Sequence, residues 1–267
     1  KPCSKDADFG TFFLHNEGYS TMCGHAIIAL TKLVLDTELI KKVADVAELI
    51  IDAPPGKIYA KGFRENGIVR YASFLNVPSF VLLQNKTVHV DGIGKIVFDV
   101  AYGGAFYAFV DADKYNIKLD ENNYTQLIDL GMKIKKAVAE NFEIVHPFEK
   151  DLSFLYGTIF TGKAFDKKHH SRNVCIFADG EVDRSATGSG VSARAALHYA
   201  KGELRKGERI TIESIIGTTM NVEVKELTKF GEYIAVIPEV TGKAYFTGKN
   251  EFFFDPNDPL INGFILR

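Results

Sequence analysis

The segment YSTMCGHAIIAL, residues 19–30, places Cys-Gly-His directly before an apolar stretch. From His25 to Asp36 the apolar residues have the spacing of a helix that buries most of its surface. A cysteine just before such a helix is commonly a small buried hydrophobic residue. It can also be a reactive thiol, because the positive end of the helix dipole favours the thiolate. Cys23 taken alone leaves both interpretations open, the first being the more common.

A second segment, DRSATGSGVSARAAL at residues 183–197, repeats the arrangement with Thr187 in place of the cysteine. In each copy a small polar residue, a glycine and another polar residue precede an apolar helix, predicted here over about residues 190–201. TGSG alone is typical of a helix cap, since Thr and Ser often cap helices. If the two helix starts face each other, however, their unpaired N–H groups form a site for a small anion such as a carboxylate.

Such a pair of helix starts suits one chemistry, the removal of a proton from the α-carbon of an amino acid. This step needs a positioned base and stabilisation of the charge that develops on the carboxylate. The sequence has no glycine-rich phosphate loop and no lysine in a context that indicates pyridoxal phosphate. His169 and His170 lie in a lysine-rich loop that we expect to be solvated rather than to bind a metal. We therefore expect a reaction without cofactor or metal.

The composition is that of an ordinary globular protein, with 267 residues, 46% hydrophobic and 25% charged, and a net charge of −2. Without a basic excess, binding to nucleic acid or to an anionic membrane is not expected. The longest apolar runs are too short to cross a bilayer. Three widely spaced cysteines do not form a disulfide framework, and Cys175 is interpreted as a core residue of an apolar strand. A cytoplasmic location is the expectation.

Strand patterns occupy most of the remaining chain, and residues 41–52 are compatible with either a strand or a helix. A further helix with a broad apolar face is predicted within residues 120–142. After the second buried helix, strands are predicted to the end of the chain, including residues 242–248 and the tail at residues 250–267. Mixed strands around two buried helices indicate the α+β class. The best boundary lies near residues 76–79, which divides the chain into domains 1–80 and 81–250.

Two motifs in this sequence, ADFGTFFLHNEGYSTMCGH at 7–25 and DRSATGSGVSARAAL at 183–197, resemble the active-site motifs of the proline racemase family. The similarity extends through DVAYGGAFYAFVD, HPFEKDLSFLYGTIFTG and FDPNDPL, and so covers nearly the whole chain. That family also contains hydroxyproline epimerases and trans-3-hydroxy-L-proline dehydratases. The resemblance implies two pseudo-symmetric domains of mixed sheet, each wrapped around a central helix, with the active site between them, as in diaminopimelate epimerase. It also implies a homodimer.

Family members normally begin with a further segment that contains a His-Thr-Gly-Gly-type motif, which this sequence does not show. We therefore expect the first domain, residues 1–80, to lack its N-terminal part and to be completed by residues 251–267. A non-catalytic homologue that binds proline analogues is one alternative that this expectation keeps open.

The sequence departs from the racemase pattern at Thr187, where racemases and epimerases of the family generally have a cysteine. Racemisation needs a base on one face of the substrate and an acid on the other, and a threonine hydroxyl is a far weaker acid than a thiol. The Cys23 and Thr187 pair instead resembles that of the trans-3-hydroxy-L-proline dehydratases. In that substrate the 3-hydroxyl and the α-hydrogen lie on the same ring face, so one thiol could remove the proton and return it to the departing hydroxyl. A proline racemase or hydroxyproline epimerase is the other alternative.

The resemblance also assigns roles to the residues around this pair. Cys23 and Thr187 are the expected catalytic residues, with Thr187 closing the face opposite Cys23. The remaining expected substrate contacts are backbone N–H groups for the carboxylate, two side chains for the ring nitrogen and an apolar wall. They are, in that order, Gly24, His25, Gly188 and Ser189; Asp183 and His25; and Phe177.

Overall fold

The computed structural model describes residues 1–16 and 18–263. Its three α-helices within these residues are α1 Gly24–Asp36, α2 Tyr124–Asn141 and α3 Gly188–Ala200. The strands are β1 Phe9–Gly10, β2 Phe13–His15, β3 Gly18–Ser20, β4 Val46–Ala53, β5 Gly56–Glu65, β6 Ile68–Leu75, β7 Ser79–Val90, β8 Gly94–Tyr102, β9 Phe106–Asp111, β10 Leu155–Gly162, β11 Ser171–Phe177, β12 Glu181–Val182, β13 Arg209–Glu213, β14 Thr219–Phe230 and β15 Tyr233–Gly242.

The helix α3 lies inside a closed ring of strands. The ring runs β7-β8-β9-β10-β11-β13-β14-β15 and closes because β15 also pairs with β7. Most neighbours are antiparallel, whereas β9 with β10 and β11 with β13 are parallel, so the sheet is mixed. Every residue of α3 from Gly188 to Leu197 is buried, as expected for a helix that strands surround on all sides. The amphipathic helix α2 packs against β10 and β11.

The helix α1 packs against a second, open part of the same sheet. Beyond β15 the strand order continues β6-β5-β4-β1. Apolar side chains of α1, among them Ile27, Ile28 and Leu35, are buried, while His25 at its start is exposed on one side. A small antiparallel pair, β2 and β3, leads into α1. Two buried helices in mixed sheet confirm the predicted α+β class.

Several local predictions can now be compared with the structure. Residues 46–53 of the ambiguous segment form a strand, in keeping with their β-branched residues. The strands predicted after residue 242 are wrong for residues 243–263, which contain only irregular chain and turns. This segment is mostly exposed, and its two prolines lack the N–H group that a strand ladder uses.

The division into domains 1–80 and 81–250 stays a prediction, since one sheet runs across residue 80 and β15 pairs with strands on both sides of it. Completion of the first domain by residues 251–267 likewise stays a prediction, and residues 264–267 lie outside the described part. Among the described residues, no helix is both long and apolar enough to cross a membrane.

The two buried helices meet end to end at a pair of glycines. A Cβ atom added to Gly188 would lie 2.6 Å from the Cα of Gly24, and one added to Gly24 would lie 2.6 Å from the Cα of Gly188. Real Cβ atoms do not approach other carbons so closely, since van der Waals contact between carbons begins near ~3.5 Å. Glycine at both positions is therefore what lets the N-termini of α1 and α3 touch.

We predict that Gly188→Ala pushes these helix ends apart and lowers the free energy of unfolding by about 1–3 kcal/mol, the typical result of overpacking. Denaturant unfolding of the two proteins measures this difference. Gly248→Ala is the matched control, because a Cβ at Gly248 meets no atom of the described residues within 4 Å. Equal stability of Gly188→Ala and the wild type would show that the helix ends can separate without cost.

Candidate active site

A cavity of about 120 Å³ lies where α1 and α3 begin. It is lined by all eight residues that the sequence predicted for the site: Cys23, Gly24, His25, Phe177, Asp183, Thr187, Gly188 and Ser189. The sequence segments that carry them are far apart, and the contact between the glycines brings them together. Their proximity is established by this geometry, while their individual roles stay predictions.

Cys23 occupies the position before the first residue of α1. Its backbone is extended, and its carbonyl accepts the N–H of Ile27 at 3.1 Å, the first helical hydrogen bond. Within the described chain its side chain does not cap the helix, and the half-buried residue borders the cavity. The thiol therefore lies at the positive end of the helix dipole, where a negative charge is stabilised.

Thr187 occupies the corresponding position before α3, in an unusual backbone conformation. Its φ of 67° and ψ of 96° fall in a region that β-branched residues avoid. Such a conformation costs about 1–3 kcal/mol and persists only when neighbouring contacts impose it. Its hydroxyl donates to Asp183 Oδ2 at 2.9 Å, and its backbone N–H donates to Ser185 Oγ at 3.0 Å. The side chain is thus engaged by Asp183 rather than capping the described helix.

Asp183 and His25 form the charged part of the cavity wall, with His25 Nδ1 3.5 Å from Asp183 Oδ2. Burial raises the pKa of Asp183, but hydrogen bonds from His25 and Ser185 outweigh it and leave that pKa below its usual value. Loss of solvent lowers the pKa of His25, but the hydrogen bonds and charges of Asp183 and Cys23 outweigh it and raise that pKa. The pair therefore favours a carboxylate beside an imidazolium.

Tyr107 of β9 is a cavity residue that the sequence did not predict. Its hydroxyl lies 2.7 Å from Ser189 Oγ, and burial holds its pKa well above the usual value, so it remains a neutral phenol. A hydrogen bond between the two hydroxyls leaves the Ser189 hydroxyl able to form further hydrogen bonds. Alternation along β9 puts Tyr107 and Phe109 on one face, and this period was the available signal.

Cys175 was interpreted as a core residue, and the structure buries it fully. It also borders the cavity that Thr187 lines. Burial raises the pKa of this thiol well above its usual value, so it remains protonated. Cys175 is therefore a core residue, as predicted, and it also lines the cavity.

The strands β2 and β3 line one side of the cavity. The ring of His15 lies against Tyr156 and Phe177, with ring centres 5.6 and 6.1 Å apart, and Asn16 reaches the carbonyl of Asp179 at 3.5 Å. Phe177 and Tyr156 stack at 5.5 Å and supply the apolar wall. The segment that contains β2 and β3, before α1, therefore packs against the ring of strands around α3.

The predicted solvated loop at His169 and His170 is more ordered than expected. His169 Nδ1 lies 2.8 Å from Glu213 Oε1, and the buried Arg172 pairs with the other oxygen of Glu213 at 2.7 Å. Among residues 1–16 and 18–263, no three His, Cys, Asp or Glu side chains converge in a metal-binding arrangement.

Chemically, the cavity combines two helix starts, which no side chain of the described residues caps, with the thiol of Cys23 and the hydroxyl of Thr187. The N–H groups of both helix starts suit a carboxylate, and Asp183 suits a positively charged nitrogen. A thiol beside such a site can act as a base on an atom next to the carboxylate. The arrangement is one for proton transfer at the α-carbon of an amino acid.

Known enzymes that act on proline or hydroxyproline resemble this chain along nearly its whole length. A trans-3-hydroxy-L-proline dehydratase of Colwellia psychrerythraea is 51% identical over 98% of this chain and 74% of its own. A proline racemase of Clostridioides difficile is 38% identical over 100% of this chain and 80% of its own. The crystal structure of a hydroxyproline epimerase from Agrobacterium vitis, with bound trans-4-hydroxy-L-proline, superposes with a TM-score of 0.94 at 28% identity and covers 100% of this chain and 76% of that one.

The family model described as proline racemase matches residues 1–265. Together with relatives well above 30% identity, this match confirms the resemblance predicted from the two motifs. The chain belongs to the proline racemase family.

Proposed function

We propose that this protein is a hydro-lyase, a trans-3-hydroxy-L-proline dehydratase that works without a cofactor. The observation that carries the proposal is the pair of residues at the facing helix starts, a thiol at Cys23 and a hydroxyl at Thr187. The name of the Colwellia relative, 51% identical, supports the same activity. The name of the racemase, at 38% identity, is the weaker comparison.

The cavity offers a complementary group for each part of this substrate. The cavity of about 120 Å³ is lined by polar groups at both helix starts and by the apolar Phe177. The substrate carboxylate would accept hydrogen bonds from the N–H groups of Gly24, His25, Gly188 and Ser189. Asp183 would pair with the ring nitrogen, His25 would lie beside it, and Phe177 would cover the apolar ring edge.

The reaction then proceeds on one face of the ring. The Cys23 thiolate takes the α-hydrogen as a proton, and the electrons of that C–H bond form the new carbon–carbon double bond. The bond from the β-carbon to the hydroxyl breaks, and the Cys23 thiol returns its proton to the departing oxygen, which leaves as water. The product is the enamine Δ2-pyrroline-2-carboxylate, which tautomerises to Δ1-pyrroline-2-carboxylate.

Charge stabilisation falls to the helix starts. As the α-proton leaves, negative charge spreads onto the carboxylate, and N–H groups already aimed at it need no rearrangement. Thr187 closes the other face, and its hydroxyl is engaged by Asp183 at 2.9 Å. A hydroxyl held in this way is a poor second acid, which disfavours racemisation.

A racemase or epimerase remains the second candidate, because one observation favours it. Cys175 lines the same cavity as Thr187, and burial keeps its thiol protonated. A protonated thiol there could supply the second acid. Proline that racemises with the wild type and ceases to do so with Cys175→Ala would assign it that role.

Two further expectations from the sequence stay predictions: a homodimer and a cytoplasmic location.

The central prediction concerns two substitutions at the helix starts. We expect Cys23→Ser to lower dehydratase activity by about 10²–10⁴-fold, the typical contribution of general acid–base catalysis. Thr187→Ala should retain substantial activity, because Thr187 does not exchange a proton with the substrate. Proton NMR in D2O with trans-3-hydroxy-L-proline follows the loss of water directly.

Proline in the same solvent is the control for face selectivity. The wild type should not convert L-proline to D-proline, since no thiol donates a proton directly to the second face of the ring. Loss of activity in folded Thr187→Ala as severe as in Cys23→Ser would contradict the single-face mechanism. Binding of both substrates without turnover would point to a non-catalytic homologue.

The third prediction concerns the protonation of His25. Because the pKa of His25 is raised in the folded protein, protonation of its ring stabilises the fold. This contribution is complete at pH values below the ordinary histidine pKa of about 6.5, and it declines as the pH rises toward the raised pKa. Asp183→Asn removes the nearby anion, so the pKa of His25 should fall toward its ordinary value. An NMR titration of the His25 ring measures this shift, with the exposed His89 as the reference signal. An unchanged titration would remove Asp183 as the cause.

A further inference from the structure

We propose that Asn173 of β11 is a positioning residue that holds Ala186 and Thr187 in the conformation that aims the start of α3 at the cavity. The proposal rests on the proposed function in so far as the N–H groups at this helix start bind the substrate carboxylate. It adds a residue that lies behind the cavity wall and does not touch the substrate.

The strained Thr187 requires an external constraint. With φ at 67°, its backbone would relax to a negative φ if nothing opposed this. The hydroxyl of Thr187 donates to Asp183, and its backbone N–H donates to Ser185. These two contacts engage the side chain and the N–H group of Thr187. The carbonyl of Ala186, in the same peptide unit as that N–H, needs a separate partner.

Asn173 holds that carbonyl. Its Nδ2 donates to the Ala186 oxygen at 3.0 Å, and the residue is fully buried. Its Oδ1 accepts from a guanidinium nitrogen of Arg194 at 3.0 Å. Because Arg194 can only donate, the oxygen of Asn173 must face it, and the amide nitrogen must therefore face Ala186. The orientation of the amide is set by its partners.

Arg194 is itself fixed, so the support is rigid. It projects from α3, donates to Ser171 Oγ at 2.7 Å and to His198 Nε2 at 2.8 Å. Burial and the charge of Arg194 lower the pKa of His198 to about 4, so the imidazole is neutral and can accept. The other ring nitrogen of His198 lies 2.6 Å from Glu203. Asn173 thus connects the start of α3 to a side chain from the middle of the same helix.

The consequence for substrate binding follows from the order of these contacts. The Thr187 carbonyl accepts the N–H of Val191 at 2.7 Å, so a rotation at Thr187 breaks the first turn of α3. The N–H groups of Gly188 and Ser189 would then point away from the carboxylate. Losing the Asn173 contact should therefore weaken binding of the carboxylate more than it slows the chemical step.

Asn173→Asp isolates this contact. An aspartate keeps the size of the side chain and a partner for Arg194, but it presents an oxygen instead of an N–H to the Ala186 carbonyl. We expect the dissociation constant of pyrrole-2-carboxylate, a planar ring acid, and the KM for trans-3-hydroxy-L-proline to rise about tenfold or more, with a smaller change in kcat. If Asn173→Asp does not fold, Asn173→Ser replaces it with the same expected result.

Thr158→Val is the matched control. Thr158 is also buried and donates to a backbone carbonyl, that of Gly131 at 2.9 Å, but this bond holds α2 and not α3. The control should lose stability and keep its affinity. Equal affinities of Asn173→Asp and the wild type would overturn the proposal.

A second substitution separates positioning from packing. Glycine adopts a positive φ without strain, so in a Thr187→Gly background the effect of Asn173→Asp on affinity should shrink to less than about threefold. An undiminished effect would assign Asn173 a packing role and overturn the proposal.

Hydrogen exchange distinguishes failure of this inference from failure of the proposed function. If the wild type neither binds pyrrole-2-carboxylate nor dehydrates trans-3-hydroxy-L-proline, the proposed function is refuted and this inference is not. In that case the amide of Val191 provides the test, since it should exchange faster in Asn173→Asp than in the wild type or in Thr158→Val. Unchanged exchange would overturn the inference.

Discussion

The contact between Gly24 and Gly188 is the constraint on which the site depends. Two buried helices point their N-termini at each other, and only the absence of side chains allows the approach. Both ends carry partial positive charge, so the contact is electrostatically unfavourable when empty and favourable when an anion lies beside it. The sheet around α3 and the strands beside α1 hold the helices in this arrangement. We therefore propose that an affinity for a carboxylate arises from the fold itself.

The side chains next to these glycines determine the chemistry. Cys23 and Thr187 occupy equivalent positions, yet a thiol can shuttle a proton near neutral pH and a hydroxyl cannot. The environments also differ: Cys23 lies near His25, whereas Thr187 donates to Asp183 and is held in a strained backbone. We therefore propose that the Cys23 face of the cavity serves proton transfer and the Thr187 face serves closure. This asymmetry is the physical reason to favour elimination over racemisation.

The sequence predicted much of this site, because motifs at helix starts are local. Cys23-Gly24-His25 and Thr187-Gly188-Ser189 could be recognised and related to each other without the fold. Tyr107, Asn173 and Cys175 could not be assigned in this way, since each belongs to a strand whose role depends on which face meets α3. Strand alternation from Phe177 would have placed Asn173 and Cys175 on the same face. The strands predicted after residue 242 failed because a strand pattern does not reveal whether a neighbour is available for pairing.

The central claim is that elimination occurs on the Cys23 face alone, and the two epimers of the substrate test it most directly. In trans-3-hydroxy-L-proline the hydroxyl shares a face with the α-hydrogen, and in the cis isomer it lies on the opposite face. Proton NMR in D2O with both isomers should show loss of water from the trans isomer only, while the cis isomer exchanges its α-hydrogen for deuterium and keeps its hydroxyl. Loss of water from both isomers at comparable rates would contradict the account.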